Sequence, residues 1–266
     1  MKPFLRIIFC LLVSGLLVST AYAKIQSKAI EYKDGDAVLE GYLVYDDAVT
    51  GKKPGVLVVH EWMGLGDYEK GRAEQLAGLG YVAFAADIYG KGIRPKDRKE
   101  AGEFSGKYRS GDRTMLRSRV NAALDVMKKQ TMVDPLKTAA IGYCFGGTSV
   151  LELARSGADT LGIVSFHGGL ATPIPADAKN IKAKVLVLHG ADDPFVKSEE
   201  VLAFQDELRK AGVDWQFVSY SNAVHSFSNT ASGSDNSKGA AYNEKADKRS
   251  WEAMKIFFKE IFGERK

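Results

Sequence analysis

One short segment of the sequence surrounds a reactive side chain with small residues. Residues 142–147 read GYCFGG and lie between an apolar run and a helical stretch that begins near Thr148. A nucleophile on a sharp strand-to-helix turn needs glycine neighbours, because its backbone is strained and passes close to the strand. We call residues 142–147 the cysteine turn, and we predict that Cys144 is a nucleophile. A buried structural cysteine is the alternative.

The residues around Cys144 predict how its chemistry would be supported. The helix that follows would direct its amino terminus at the thiol, which favours the thiolate. The backbone N–H of Phe145 would face a developing oxyanion. A phosphate-binding loop is disfavoured, because the segment has neither a G-x-G-x-x-G pattern nor a Walker lysine.

Two downstream motifs offer the base and the acid that a thiol nucleophile requires. Asp193 lies in an H-G-x-x-D-x-x-V stretch just beyond an apolar run, and His225 lies in the loop after the next predicted strand. The order nucleophile, acid, histidine is that of α/β-hydrolases. Asp192 is the fallback for the acid, and a purely structural role is the alternative for His225.

The three other histidines follow apolar strands and do not form a metal motif. We interpret His60, His167 and His189 as hydrogen-bonding groups at strand ends. No H-x-H, H-x-x-x-H or H-E-x-x-H spacing occurs, so neither a metal nor another cofactor is predicted.

The predicted elements place these residues at one edge of a sheet. Short, continuous apolar runs indicate strands buried on both faces. They are Gly55–Val59, Tyr81–Ala86, Thr138–Ile141, Gly162–Phe166 and Val185–Leu188. Ala37–Tyr45 alternates like an edge strand of a hairpin, and Trp215–Tyr220 is a further strand candidate. The predicted helices are Arg117–Lys129, Ser198–Ala211 and Tyr242–Phe262. This alternation predicts an α/β fold with a mainly parallel sheet, covered on both faces, that binds ligands at the carboxyl ends of its strands.

The composition argues against two classes of protein, and the first residues predict an exported one. The chain has 266 residues, a formal net charge of +4 and two cysteines, which argues against a disulfide scaffold and a nucleic-acid partner. Lys2 and Arg6 precede an apolar run too short to span a bilayer, and Ala-Tyr-Ala ends at Ala23. This pattern predicts a signal peptide over 1–23, cleaved after Ala23. The mature chain, 24–266, is then a single periplasmic or secreted domain with one cysteine and no stable membrane anchor.

Five separated blocks of the sequence resemble the dienelactone hydrolase family of α/β-hydrolases. They are HEWMG at 60–64, DIYG at 87–90, the cysteine turn, DPFV at 193–196 and HSF at 225–227. The resemblance runs from about residue 29 to the carboxyl terminus. It implies a sheet of about seven to eight strands with helices on both faces.

The resemblance also implies a role for each motif. Cys144 would be the nucleophile, His225 the base and Asp193 the residue that orients the base. Glu61 would engage the resting thiol, and the amides of Trp62 and Phe145 would form the oxyanion hole.

Two positions depart from the family pattern. The family binds a substrate carboxylate with two arginines, and this chain has Lys91 and Asn229 at those positions. Lysine lacks the bidentate fork of arginine, and asparagine lacks the charge. We therefore expect a neutral or partly apolar ester. Besides Trp62, the expected substrate-binding residues are Tyr89, Lys91, Phe195 and Phe227.

Two further segments border the predicted site. Residues 91–112 carry many charges of both signs, and a solvated face is favoured over an anion-binding lid. Residues 229–239 are rich in Ser, Asn and Gly and predict a mobile loop.

The function that these residues predict is hydrolysis of a lactone or a small carboxylic ester through an acyl-enzyme. The expected partner is a small-molecule substrate, and a monomer is favoured. A redox-responsive or ligand-binding protein on the same fold is the alternative, as is an acyltransferase with an acceptor other than water.

Overall fold

A central eight-stranded sheet organises the molecule. The computed structural model describes residues 24–48 and 50–263, so the predicted signal peptide lies outside the described residues. The strands are β1 (Ile25–Asp34), β2 (Ala37–Asp46), β3 (Lys53–Val59), β4 (Val82–Ala86), β5 (Val133–Tyr143), β6 (Gly162–Phe166), β7 (Lys184–Gly190) and β8 (Trp215–Tyr220). The helices are α1 (Asp67–Gly78), α2 (Arg98–Arg109), α3 (Thr114–Lys128), α4 (Phe145–Arg155), α5 (Ser198–Ala211) and α6 (Glu244–Phe262).

The strand order confirms the predicted α/β-hydrolase architecture. The order across the sheet is β1-β2-β4-β3-β5-β6-β7-β8. Strands β3 to β8 run parallel, whereas β1 and β2 form an antiparallel hairpin that joins the sheet through β4. Parallel strands present their carboxyl ends at one edge, where the connecting loops build a site.

The predicted edge strand lies one position further inside the sheet. Ala37–Asp46 is β2, and the edge belongs to β1, which the sequence did not predict. Most side chains of β1 are exposed or half-buried, so its sequence lacks the apolar run of a buried strand.

Helices cover both faces of the sheet and bury it. Leu57 and Val59 of β3 pack into one apolar cluster, to which α3, α4 and α5 contribute. Val56 and Val58 point to the opposite face and pack into a second cluster with α1 and α6. The period of two along this strand therefore divides the core between the two faces. None of the helices in the described ranges is long and apolar enough to cross a membrane.

Three helices begin at residues other than the predicted ones. Helix α5 has the predicted bounds, whereas α3 begins at Thr114 and α6 begins after Asn243, whose side chain accepts the Ala246 N–H. Helix α4 begins at Phe145, three residues earlier than expected, so Cys144 occupies its N-cap position. This earlier start places the amino terminus of the helix directly at the thiol.

Candidate active site

Cys144 stands on a backbone turn that only small neighbours permit. Its φ of 54° and ψ of −111° are unusual for a residue with a side chain. A Cβ atom on Gly142 would lie 2.0 Å from the Gly146 carbonyl oxygen, and one on Gly146 would lie 2.1 Å from the Val59 carbonyl oxygen. The two glycines therefore allow β5, β3 and α4 to approach each other closely. This close packing places the thiol of Cys144 at the carboxyl edge of the sheet.

The structure brings the three predicted side chains into one hydrogen-bonded series. The His225 Nε2 atom lies 3.0 Å from the Cys144 sulfur, and its Nδ1 atom lies 2.8 Å from the Asp193 Oδ2 atom. Asp193 is buried and also accepts the Phe195 N–H, whereas Asp192 is exposed. Of the two candidate acids, only Asp193 contacts the histidine.

The surroundings of His225 favour its charged form. Burial by itself lowers the pKa of this imidazole. The negative charge of the Cys144 sulfur and the bond to Asp193 outweigh burial and hold the pKa well above its ordinary value. The sulfur of Cys144 therefore faces, at 3.0 Å, an imidazole that favours its positively charged form.

Glu61 is bound to Asn229 in this structure. Its Oε2 atom accepts a hydrogen bond of 2.7 Å from the Asn229 amide, and its Oε1 atom lies 3.5 Å from the Ser226 hydroxyl. Those two side chains, and not the thiol, are its side-chain partners among the described residues. Burial raises the pKa of Glu61 to about 7, and the nearby Glu69 adds to the rise. The contact of Asn229 with Glu61 was not predicted from the sequence, where Asn229 was noted only as a position at which the family has an arginine.

The amide N–H groups of Trp62 and Phe145, predicted to form the oxyanion hole, have no hydrogen-bond partner among the described residues. Both residues line a cavity beside Cys144. Trp62 is held through its carbonyl oxygen, which accepts the Tyr89 hydroxyl at 2.9 Å. Phe145 is the first residue of α4, where helical N–H groups lack partners.

The cavity has a volume of about 750 Å³. Cys144 and His225 line one part of it, and charged residues of α2 line another. Arg98, Ser105 and Arg109 of α2 line it at intervals of seven and four residues, which is one helical face. Neither arginine forms an ion pair within the described chain. Both arginines are exposed, as the predicted solvated face requires, and they also line the cavity. Their helical spacing was the signal that could have placed them on one face.

Of the four other expected substrate-binding residues, the structure brings one to the cavity. Phe195 lines it with 61% of its surface exposed. Tyr89 and Phe227 are buried in the packing around the site. The Lys91 ammonium group pairs with Glu31 and Glu40 on the exposed hairpin, so it does not line the cavity.

Two of the three remaining histidines hydrogen-bond at strand ends, as predicted. The Nε2 atom of His60 accepts the Ile88 N–H at 3.2 Å, and the Nδ1 atom of His167 accepts the Cys144 N–H at 3.1 Å. The Nδ1 atom of His189 has no partner in the described chain. Within residues 24–48 and 50–263, no cluster of three or more His, Cys, Asp or Glu side chains is arranged to hold a metal ion.

The loop after His225 packs against that histidine. Residues 229–239 contain two short 3₁₀ turns, and the Gly239 carbonyl oxygen accepts the His225 N–H at 3.2 Å. Its predicted mobility stays a prediction.

The sequence as a whole matches one known family. The profile of the Dienelactone hydrolase family matches residues 39–262, which is most of the chain. This chain belongs to the dienelactone hydrolase family. It is therefore a carboxylic ester hydrolase with the family's fold.

Solved structures and curated proteins agree with this membership. A structure named m3DLH shares 44% identity and a TM-score of 0.86, over 89% of this chain and 98% of its own. A dienelactone hydrolase-like promiscuous phosphotriesterase, P91, from metagenomic libraries shares 44% identity and a TM-score of 0.85, over 90% of this chain and 99% of its own. A protein of Aquifex aeolicus, provisionally named carboxymethylenebutenolidase, is 28% identical over 86% of this chain and 96% of its own.

Proposed function

We propose that this hydrolase cleaves a lactone or a small carboxylic ester with Cys144 as nucleophile, His225 as base and Asp193 as the residue that orients the base. The observation that carries the proposal is the continuous series from sulfur to imidazole to carboxylate, with contacts of 3.0 and 2.8 Å, at the wall of a cavity. A nucleophile within hydrogen-bonding reach of a base that a third group orients is the arrangement of covalent catalysis.

In the proposed reaction the thiolate of Cys144 attacks the ester carbonyl carbon. The amides of Trp62 and Phe145 stabilise the tetrahedral oxyanion. The imidazolium of His225 gives its proton to the departing alkoxide, which leaves a thioester on Cys144. His225 then removes a proton from water, and the resulting hydroxide releases the acid product.

We assign Glu61 a supporting role beside this series. Its carboxyl group lines the cavity and interacts electrostatically with His225. Asn229 holds that carboxyl group on the other side, at 2.7 Å. A negative Glu61 would stabilise the imidazolium and lower the reactivity of the base, so the protonation of Glu61 would tune the site.

The decisive experiment compares wild type with Cys144→Ala on p-nitrophenyl acetate and a panel of lactones. Turnover is expected to vanish in the variant, and trapping of an acyl group on Cys144 should be visible by mass spectrometry. Equal rates in both proteins would contradict the proposal. Persistent inactivity of fully reduced wild type would favour a ligand-binding protein, and transfer products with an added alcohol would indicate an acyltransferase.

We propose phosphotriesters as a second substrate class, because a structure with 44% identity is named for that activity. Attack of Cys144 on phosphorus would expel an aryloxide, and water would then release the phosphodiester. Aryloxide release from a diethyl aryl phosphate, absent in Cys144→Ala, would support this class. Release at the uncatalysed rate would exclude it.

We also propose that residues 1–23 direct export and are cleaved after Ala23, which leaves a single domain over 24–266. The basic start and the Ala-Tyr-Ala end support this proposal. The intact mass of protein recovered outside the cytoplasm should be that of residues 24–266. Recovery there of the uncleaved chain would contradict it.

A further inference from the structure

We propose that His167 is a positioning residue whose imidazole holds the main chain of Cys144 so that the thiol faces His225. This inference rests on the proposed function for the role of Cys144. It concerns a residue that the reaction as described above does not use.

The contact between the two residues is direct. The Cys144 N–H donates to the Nδ1 atom of His167 at 3.1 Å and to the Phe166 carbonyl oxygen at 3.0 Å. Both acceptors lie at the end of β6, so one short segment holds the amide of the nucleophile from one side. Cys144 has a φ of 54°, and a hydrogen bond to its own amide restrains that strained conformation.

The backbone of His167 is itself constrained to make this contact. Its φ is 40°, in the left-handed region that side chains rarely adopt. The next residue, Gly168, lies so close to α4 that a Cβ atom there would be 2.7 Å from the Gly147 carbonyl carbon. The loop after β6 therefore packs closely against the start of α4, next to Cys144.

A chain of hydrogen bonds fixes which nitrogen of His167 carries the proton. Because Nδ1 accepts from an amide, it must be unprotonated, and Nε2 must carry the hydrogen. Nε2 lies 2.7 Å from the Ser228 hydroxyl oxygen, which lies 2.7 Å from the Tyr68 hydroxyl oxygen. The Arg72 guanidinium holds the backbone of Ser228 in place by donating to its carbonyl oxygen at 2.7 Å.

The surroundings keep the ring neutral, as an acceptor must be. His167 is fully buried and lies edge-on to His225, with ring centroids 5.3 Å apart. Burial lowers the pKa of His167 well below its ordinary value, and the positive charges of His225 and Arg72 lower it further. A neutral ring can remain bound to Cys144 while the charge on His225 changes during the reaction.

Two substitutions separate positioning from packing. In asparagine the carboxamide oxygen is attached to Cγ, as Nδ1 is in histidine, so His167→Asn keeps an acceptor for the Cys144 amide. In glutamine the carboxamide replaces Nε2, so His167→Gln keeps the bond to Ser228 and loses the acceptor. If His167 only fills space, the larger glutamine should be the better replacement.

The readouts are the kcat and KM of ester hydrolysis and the pH dependence of Cys144 alkylation by iodoacetamide, followed on the Cys144 peptide by mass spectrometry. We expect His167→Gln to lower kcat by about 10- to 100-fold with little change in KM, because the nucleophile is misplaced and not lost. Its alkylation profile should differ from that of wild type, because the thiol no longer faces His225 in the same way. His167→Asn should keep more of both properties than His167→Gln.

The proposal is overturned if folded His167→Gln has the kcat and alkylation profile of wild type, or if His167→Asn is equally impaired. Should His167→Gln not fold, Ser228→Ala leaves the ring in place and removes the acceptor that fixes its tautomer. It should shift both readouts in the same direction, and an unchanged profile overturns the proposal. Cys144→Ala tests the proposed function separately, because activity in this variant would show that Cys144 is not the nucleophile. The alkylation profiles of the His167 variants would still test the role of His167.

Discussion

At the scale of single residues, the site is a set of side chains whose charges depend on one another. His225 is favoured as a cation by the sulfur of Cys144 and the carboxylate of Asp193. Glu61 lies in the same cavity but is held by an amide, and burial favours its neutral form. The site thus pairs a histidine that favours its charged form with a glutamate that titrates near neutral pH.

Asp193 and Asp192 provide a matched pair of substitutions. Asp193→Asn places an amide against Nδ1 of His225 and favours the wrong tautomer, so kcat should fall by about 10³-fold or more. Asp192→Asn changes an exposed neighbour and should leave kcat unchanged. Steady-state kinetics on one ester measure both, and similar rates for the two variants would refute the assignment.

Glu61 should make stability depend on pH. Its pKa is raised to about 7 from an ordinary value of 4.5, so the native state binds more protons than the unfolded state between these values. The stability it contributes is fully present below pH 4.5 and is lost as the pH rises through 7. Relative to Glu61→Gln, wild type should therefore lose about 2 to 3 kcal/mol of unfolding free energy between about pH 5 and 8. Urea unfolding of both proteins measures this, and parallel pH profiles would contradict it.

At the scale of elements, β5, α4 and α2 decide what the site can do. The glycines of the cysteine turn let β5 and α4 meet without side chains between them. Helix α2 contributes the face that carries Arg98, Ser105 and Arg109 to the cavity wall. Cys144 therefore lies between β5 and α4, whereas the positive charge of the cavity wall lies on α2.

The arginines on the face of α2 line the cavity, so we predict that the site favours a negatively charged substrate over the neutral ester that the sequence predicts. Arg109→Ala is expected to lower kcat/KM by about tenfold for p-nitrophenyl hydrogen glutarate, which carries a distal carboxylate, and by less than about twofold for p-nitrophenyl butyrate. Lys107→Ala is the control, because this exposed residue of the same helix does not line the cavity. Equal losses on the two esters would argue against an electrostatic role for Arg109.

At the scale of the whole molecule, a buried network of charges supports α4, the helix that begins directly after Cys144. Arg155, near the end of α4, is fully buried and pairs with Glu152 at 3.0 Å and with Glu207 of α5 at 2.7 Å. Arg113, the residue before α3, and Arg117 of α3 complete the pairing of Glu152. The network thus joins three helices on one face of the sheet.

Breaking this network should destabilise the fold. Arg155→Ala leaves the Glu207 carboxylate without its buried partner, so unfolding should become easier by about 3 to 5 kcal/mol. Lys248→Ala removes an exposed ion pair within α6 and should leave the melting temperature unchanged. Thermal and urea unfolding of both variants measure the difference. A stable Arg155→Ala protein would show that the network adds little to stability.

The sequence alone identified the fold class and predicted the site residues that lie in short local motifs. The G-x-C-x-G pattern, the strand-end acid and the later histidine can be recognised because each depends on a few neighbouring residues and on chain order. The structure brings Cys144, Asp193 and His225 together as that order predicted.

Only the tertiary structure decided which distant residues meet these groups. Lys91 lies close in sequence to a site motif, yet it pairs with the hairpin, whereas Asn229 reaches Glu61 across 168 positions of the chain. Likewise, His167 contacts the Cys144 amide only because β6 lies beside β5 in the sheet. Such contacts arise from the packing of elements against each other, which no local pattern of residues specifies.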